Sequence, residues 1–448
     1  KLNSIDYLQF TLNPKDRVGV FFVYKSGKKT IRMIIDARRP NRRFRSPPGV
    51  ELCTAEGFAR IEVEVEGEIE AGSPEFFEAL KGFGLHAGLA DVKDCFHRVR
   101  QPRWLAEHFC MDPVKACEVG LTGSLLCGVR LQADDDVWPC PGSLCMGFTW
   151  SLYFAQKADE RRAAMSPELK LSTIMSDRGE PVVFRSPDRS VEGARRHYVY
   201  VDNLGILSPH LPVVRRGLEE LQIGFDEVGL LLHPGEVQHD DVRALGCSLR
   251  GKDLCSRLTP ERFHKVRQAI RGLLRRGRCS GRVLEIVIGH ATFCGLACRP
   301  LLSVFHTCYK FLRTNYFEVR PLWDSVKDEL RAFMGGMVFM QADWARPWNT
   351  LVSASDSSTT GYGVSTSFWA KQDVAEVGRV LERSRFKRTN GHGARESALR
   401  SAGLVQDGSN WRAGVVDSED YLALSGWALT EHFAEVPAAL LSKDRWEP

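Results

Sequence analysis

Apolar and polar positions along this chain mark out its elements before any residue chemistry is considered. Val18 to Tyr24 and Thr30 to Ile35 are two β-prone runs, and Lys25-Ser26-Gly27-Lys28-Lys29 between them predicts a hairpin with a cationic tip. An arginine-rich loop follows, ending in Pro47-Pro48. Leu85 to Val92 reads as a strand and Trp150 to Ala164 as a helix. The stretch between them holds the acidic triplet Asp134, Asp135, Asp136, expected in a solvated loop. Residues 166–196, with Ser, Pro, Asp, Arg and Gly throughout, predict a mobile surface insertion ahead of a strand from His197 to Val201. From Pro260 to Leu312 the spacing turns helical: Val266, Ile270, Leu273 and Leu274 share a face, and a second apolar helix starts near Arg282. Trp323 to Met337 is helical again. Thr350 to Ala354 and Gly361 to Ser365 form a β-like pair, so a new domain is expected near residue 340. Residues 370–430 show weak periodicity, and no internal repeat is visible.

Composition narrows the class. With 448 residues, 43% of them hydrophobic and 26% charged, the chain has enough material for two to four domains with real cores, which excludes wholesale disorder, collagen and coiled coil. The net charge of +5 is small, but its distribution is uneven. The first fifty residues carry twelve basic side chains against Asp6, Asp16 and Asp36, and a second basic block runs from Arg262 to Arg282 with Glu261 the nearby acid. Two such patches suit a phosphate backbone. Thirteen scattered cysteines, an odd number without a disulfide-framework spacing, favour a reducing intracellular compartment, cytoplasm or nucleus. His290, Cys294 and Cys298 fall at i, i+4 and i+8, but buried thiols beside an ordinary histidine are the better reading, and no zinc site is assigned. The apolar stretch Ile286 to Cys298 is too short to span a bilayer, so no membrane segment is expected. A first residue of Lys1 reads as an excerpt from a longer chain.

Two short segments carry the chemistry. His197-Tyr198-Val199-Tyr200-Val201-Asp202-Asn203-Leu204-Gly205-Ile206-Leu207 is a pair of β-prone runs around Asp-Asn, which places a carboxylate at a hairpin tip. In isolation such an Asp-Asn pair usually only makes the turn. Gly88-Leu89-Ala90-Asp91-Val92-Lys93-Asp94-Cys95-Phe96 is a second strand ending in aspartate, with an aromatic five residues on. Two strand-end carboxylates that converge could hold a pair of hard cations for phosphoryl or nucleotidyl transfer.

Taken in order, these motifs resemble a reverse transcriptase of the retrotransposon type across residues 18–315. Lys25 and Arg32, with Asp36 after them, resemble the hairpin that holds the incoming triphosphate. Asp91 to Phe96 resembles the first palm motif, and Met146-Gly147-Phe148 followed by Trp150-Ser151-Leu152 the segment against the template and nascent base pair. Tyr200-Val201-Asp202-Asn203 resembles the catalytic hairpin, and Gly229 to Pro234 with Leu245-Gly246 the later palm and primer grip. The resemblance implies an α+β right-hand polymerase: fingers and palm with an antiparallel sheet over 1–259, a helical thumb and connection over 260–339, and a partial RNase H-like α/β domain with an insertion over 340–448.

It also implies an activity, RNA-directed DNA polymerase, and roles residue by residue. Asp91 and Asp202 would hold two Mg²⁺ ions, with Mn²⁺ as the substitute. Lys25 and Arg32 would face the pyrophosphate, and Phe96 would reject a 2′-hydroxyl. Met146 and Gly147 would border the nucleotide, with Tyr200, Val201 and Asn203 completing the hairpin. Arg267, Arg271 and Arg275 would hold duplex phosphates. The implied partners are an RNA template, a DNA or RNA primer duplex and deoxynucleoside triphosphates; oligomeric state stays unread. Asp356, within Ser353 to Gly363, resembles the first aspartate of an RNase H domain, and Glu396 and Asp417 are unsupported candidates for its other carboxylates. The chain departs from the family at Asn203, where a second aspartate is usual, at Glu236, where a lysine is common, and at Met146, which replaces a common glutamine. Asn203 and Glu236 keep open a decayed or domesticated element protein that only binds nucleic acid; an RNA-dependent RNA polymerase is a weaker alternative, opposed by Phe96.

Overall fold

The computed structural model describes residues 7–24, 31–65, 69, 72–186, 195–357 and 361–380, together with the backbone of Phe386–Arg388 and Trp427–Leu429. The first β-prone runs pair as an antiparallel hairpin of β1 (Gly19–Tyr24) and β2 (Ile31–Asp36), with Gly19 opposite Asp36 and Tyr24 opposite Ile31. Phe21, Phe22, Tyr24 and Ile31 on this hairpin are exposed. Lys25 lies outside the described residues, as does the side chain of Arg32.

A five-stranded sheet organises the middle of the chain. Its long members are β3 (His86–Asp91), β4 (Arg196–Tyr200), β5 (Asn203–Ser208) and β6 (Glu236–His239), in the order Thr173–Ile174, β4, β5, β3, β6; the first pair is parallel and the rest are antiparallel. Helices α1 (Ser151–Ala163) and α2 (Leu211–Asp226) cover one face. The two-residue period of the strands sorts their side chains between two cores. Ala90, Val199, Leu204 and Ile206 pack with Ala155, Ala163, Leu221 and Phe225. Ala87, Tyr198 and Leu207 pack on the other side with Phe58 and Trp344. Gly205 is required by that arrangement, because a Cβ there would sit 2.1 Å from the ring of its cross-strand partner Tyr198.

The chain next forms an antiparallel sheet from β7 (Asp241–Ala244), β8 (Cys247–Arg250) and β9 (Cys255–Leu258). Helices α3 (Pro260–Arg276), α4 (Gly281–Gly295), α5 (His306–Thr314) and α6 (Asp324–Gly336) follow and share one core, in which Val266, Ile270 and Leu273 meet Leu284, Ile288, Phe311 and Phe333. Strand β10 (Gln341–Asp343) then returns to pair with β9. Beyond it, β11 (Leu351–Ser357) and β12 (Tyr362–Phe368) form a separate hairpin and α7 (Lys371–Arg379) follows. Arg379 at the end of α7 bonds Glu62 and Glu64, each at 2.6 Å.

Several readings change. Within the stretch expected to be a surface insertion, Thr173–Ile174 joins the central sheet and Val183–Ser186 pairs in parallel with Glu62–Val65, while Met175, Val182 and Phe184 are buried. Three apolar anchors in a polar background were enough to fold it inward. Asp136 does not lie in a loop; it opens the strand Asp136–Pro141 and its carboxylate pairs with Lys115 at 2.9 Å. Just past residue 340, β10 is hydrogen-bonded to β9, and Trp344 beside it is 1% exposed, donating its indole N–H to Phe58 O at 3.1 Å. His290 is exposed while Cys294 is buried, so the two do not share a surface. All thirteen cysteines are free. No helix among the described residues is long and apolar enough to cross a membrane.

Trp344 ties β10 to the core beneath β4, so Trp344→Ala should cost about 3–5 kcal/mol of unfolding free energy. Denaturant unfolding followed by circular dichroism checks it; a loss below about 1 kcal/mol would mean the indole is not a core member.

Candidate active site

The pairing of β5 with β3 sets Asn203 opposite Asp91, so Asp202, one residue earlier, lies beside the end of β3. The backbone locks this junction from two sides. Val92 N–H donates to Asp202 O at 2.7 Å, and Asp91 O accepts the His233 N–H at 2.8 Å. Only Val201 and Asp202 connect β4 to β5, and Val201 takes φ +55°, a left-handed value that a β-branched residue adopts only under constraint. Gln156 on α1 supplies the constraint. Its Oε1 accepts the Val201 N–H at 2.6 Å, its Nε2 donates to Val199 O at 2.8 Å, and the side chain is fully buried.

Charge at the junction is crowded. Partial burial raises the Asp91 carboxyl above its ordinary value, the like charge of Asp202 raises it further, and His233, with Nε2 at 3.8 Å from Asp91 Oδ1, opposes both. Asn203 donates its amide to Asp202 Oδ1 at 2.9 Å, so the residue that replaces an expected carboxylate orients its neighbour instead of adding charge. Asp159, one turn along α1 from Gln156, is fully buried, and its Oδ2 accepts the Cys95 thiol at 3.5 Å. Its Oδ1 has no hydrogen-bond partner among the described residues. Burial pushes the Asp159 carboxyl up to about 7; the thiol bond lowers it and the charge of Asp202 raises it. The Cys95 thiol is in turn driven far above its ordinary range, first by burial and then by Asp159.

The remaining candidates fall around this junction to different degrees. Phe96 follows Cys95 in the short helix Cys95–Arg98 and packs, half-buried, against the core under the hairpin. Tyr200 is half-buried between the two cores. Gly147 lies against β2: a Cβ would meet Ile35 O at 2.5 Å, so close backbone approach, not a turn, demands glycine there. Met146 beside it is 44% exposed. Asn41 fastens this segment, its Nδ2 donating to Gly147 O at 2.9 Å and its Oδ1 accepting the Thr149 N–H at 3.1 Å. The β1–β2 hairpin is thereby linked through Gly147 to the start of α1 and so to Gln156.

Elsewhere, Arg267, Arg271 and Arg275 stand one turn apart on the side of α3 away from Val266, Ile270 and Leu273; Arg271 and Arg275 are exposed and Arg267 is half-buried. Arg262, in the same basic block, is used differently, its guanidinium 4.0 Å from the Phe293 ring centroid. Glu236 opens β6, exposed and opposite Leu89. Asp356 pairs with Gly363 in the β11–β12 hairpin, in a sheet separate from that of Asp91. Glu396 and Asp417 lie outside the described residues.

Gln156 and Asp159 were missed by sequence reasoning, yet a signal existed. At 100° per residue they fall on the same side of α1 as the buried Ala155 and Ala163, and two polar residues on a core face call for partners.

The arrangement can hold a cation. Two half-exposed carboxylates whose charges oppose each other are hard oxygen donors that a divalent ion would relieve. Among the described residues no group of three or more His, Cys, Asp or Glu gathers around one point. The protein would thus supply two carboxylates and leave other positions to substrate phosphates and water, as Mg²⁺ commonly requires.

No protein-family model and no curated protein matches the chain. Among solved structures it is similar to a foamy viral protease-reverse transcriptase in complex with double-stranded DNA, at a TM-score of 0.47 and 12% identity over 90% of this chain and 59% of that one. A second such complex with double-stranded DNA gives 0.46 and 13% over 82% and 61%, and one with an RNA/DNA hybrid 0.45 and 13% over 83% and 40%. The chain therefore spans less than two thirds of the length of each of these.

Gln156→Leu should strand the Val201 N–H and the Val199 carbonyl and cost about 2–4 kcal/mol, read by denaturant unfolding; a neutral substitution would mean that the turn holds itself. Asp159→Asn should act with a pH signature. The folded carboxyl, at about 7, binds its proton more tightly than the unfolded one at 3.8. Wild-type stability therefore falls as pH rises from 4 to 7 and levels off above, and the neutral variant escapes that loss, by at most about 4 kcal/mol. Unfolding at pH 5 and pH 8 should show the gap in favour of the variant widening at pH 8; a gap that does not change with pH would contradict the assignment.

Proposed function

We propose that this chain is an RNA-directed DNA polymerase of the reverse-transcriptase type, adding deoxynucleotides to a primer 3′-hydroxyl. The observation that carries the reading is the register of β5 against β3, which brings Asp91 and Asp202, the two aspartates of the motifs, to one point. In this reading the five-stranded sheet is the palm, the β1–β2 hairpin belongs to the fingers and α3 to α6 form the thumb.

Asp91 and Asp202 would hold the metal, and Asn203 fixes the orientation of the Asp202 carboxylate through the amide contact. Bound Mg²⁺ or Mn²⁺ would supply neutralisation of the triphosphate and a lowered pKa for the primer hydroxyl. Gln156 fixes the turn on which Asp202 stands, so its contribution to rate is positional. Phe96, in the short helix Cys95–Arg98 that follows Asp91, would crowd a ribose 2′-hydroxyl. Met146 and Gly147 border the nucleotide, the glycine keeping backbone close to backbone at the base of the fingers. Lys25 and Arg32 would complement the triphosphate charge. The exposed arginines of the thumb hold the duplex through its phosphates without reading sequence. Asp356 is assigned to a partial RNase H-like segment.

Primer extension on a primed homopolymer RNA, with deoxynucleotides in Mg²⁺ and separately in Mn²⁺, tests the proposal. Extension by the wild type, reduced by about 10³-fold or more in Asp91→Asn and in Asp202→Asn, is the expected result. A folded protein that binds primed template and extends it with neither metal would leave a nucleic-acid binder in place of the polymerase. Phe96→Ala should raise ribonucleotide incorporation relative to deoxynucleotide by about tenfold or more; preferential incorporation of ribonucleotides by the wild type would favour an RNA polymerase.

A further inference from the structure

One carboxylate outside the Asp91–Asp202 centre is held in an environment built for something else. Asp16, in the loop ahead of β1, is buried, with its side chain 1% exposed. Its Oδ1 accepts the Arg17 N–H at 2.8 Å and lies 2.8 Å from Arg39 Nε; its Oδ2 accepts Arg43 Nε at 2.6 Å. Burial works against the charge of Asp16, but the bonds from Arg43 and Arg17 and the charges of Arg39 and Arg43 overcome it and keep the carboxyl below its ordinary value. The two arginines are used at one edge only. Each meets Asp16 through Nε, one of five guanidinium donors, and their side chains are 70% and 53% exposed. Arg38 contrasts with them, closing a bidentate pair on Asp36.

Beside Asp16 is an open cavity of about 400 Å³ lined by Pro14, Lys15, Asp16, Arg17 and Arg39. Lys15 is steadied by Glu107 at 3.3 Å, and Arg17 lies over the Trp138 ring at 4.3 Å. Lys15, Arg17 and Arg39 thus line this space and Arg43 is joined to it through Asp16, with Asp16 and Glu107 as the opposing charges, leaving an excess of positive charge. The site is tied to the centre of the molecule. Arg39 sits in the helical turn Arg38–Asn41, whose Asn41 is bonded to Gly147 and Thr149, and Trp150 Nε1 donates to Arg45 O at 2.6 Å. A strand gripped here would be held at a fixed distance from Asp91 and Asp202.

We propose that Asp16 is the buried counter-charge of a phosphate clamp: Arg39 and Arg43, aimed by its two oxygens, take with Lys15 and Arg17 a backbone phosphate of the single-stranded template ahead of the centre. The identity of that strand rests on the polymerase reading; the clamp's affinity for phosphate does not. Aiming by a carboxylate explains why an acid is buried in a cation cluster, since pre-set donors lose less freedom when the phosphate arrives.

The test is fluorescence anisotropy on two primed duplexes, one blunt and one with a single-stranded 5′ template overhang, for the wild type, Arg39→Gln/Arg43→Gln and Asp16→Asn across a salt series. The wild type should bind the overhang substrate more tightly. The double variant should lose about tenfold of that increment, with the log–log salt slope lowered by about one to two, and bind blunt duplex unchanged. Asp16→Asn gives the sharper contrast. It makes the cluster more positive, so if charge alone mattered the overhang would bind more tightly, whereas loss of aiming predicts weaker binding. An undiminished overhang increment in the double variant overturns the clamp, as does tighter overhang binding by Asp16→Asn. Inorganic triphosphate bound by the wild type and lost in the double variant, with no overhang increment, would overturn the strand assignment in favour of a small anion. Overhang-dependent binding that needs Arg39 and Arg43 in a protein without primer extension would support the clamp while the polymerase reading fails.

Discussion

Two carboxylates placed side by side repel, and the structure depends on keeping them there. The antiparallel pairing of β5 with β3 does most of this, because residues opposite each other at a strand end cannot separate without breaking the ladder behind them. The turn between β4 and β5 is the vulnerable part, since Val201 is in a backbone region costing about 1–3 kcal/mol for such a residue. Gln156 answers both sides of that turn with one buried amide, which requires α1 to lie directly beneath it. The start of α1 is fixed in turn by the Gly147 segment against β2. Hairpin geometry, helix placement and the outer β1–β2 ribbon are therefore one mechanical unit. A disturbance at Gly147 would be felt at Asp202 through the helix.

The same crowding gives a physical account of Asn203. Burial raises the Asp91 and Asp159 carboxyls above their ordinary value, and the charge of Asp202 raises each of them further. A further carboxylate at position 203 would join that group before any cation arrived. An amide there adds no charge and donates to Asp202 Oδ1, fixing the orientation of the remaining acid. An amide in place of the carboxylate that the motif resemblance implies lowers the negative potential available to a cation and orients Asp202. Which effect dominates depends on the ion, and a softer, less strongly hydrated cation than Mg²⁺ depends less on site charge.

What could be read from the sequence was what local pattern encodes. Alternating and β-branched runs marked β1 to β5, and the 3.6-residue period marked α1, α3 and α6 to within a residue or two. Asp91 and Asp202 were recognisable because each ends an apolar strand; their adjacency follows from pairing, which one sequence does not print. Gln156, Asp159 and His233 were not recognisable as site residues, since their roles come from contacts across 45, 64 and 142 positions of chain with Val201, Cys95 and Asp91 respectively. Residues 166–196 misled for a different reason: polar composition outweighs three apolar anchors in a window average, whereas in packing each buried Phe or Met contributes about 1.5–3 kcal/mol on its own. Trp344 followed the same logic. Its value is a partner, the Phe58 carbonyl, 286 residues earlier.

Basic residues show the limit of counting most plainly. The chain's net +5 says little, and even the local surpluses do not separate cations with different jobs. Arg262 is spent on an aromatic face and Arg38 on Asp36, so neither offers a free fork of donors. Arg271 and Arg275 project from α3 into solvent, where long side chains must be ordered by the ligand itself and the cost of ordering is deducted from affinity. Arg39 and Arg43 are exposed too, yet one edge of each is already fixed by a buried acid. Phosphate contacts of the first kind give salt-dependent adhesion anywhere along a duplex. Contacts of the second kind give register, because their geometry is set before the nucleic acid arrives. Under the proposed polymerase reading both would serve: adhesion to stay on the duplex while it advances, and register so that the template base would lie opposite the nucleotide beside Asp91 and Asp202.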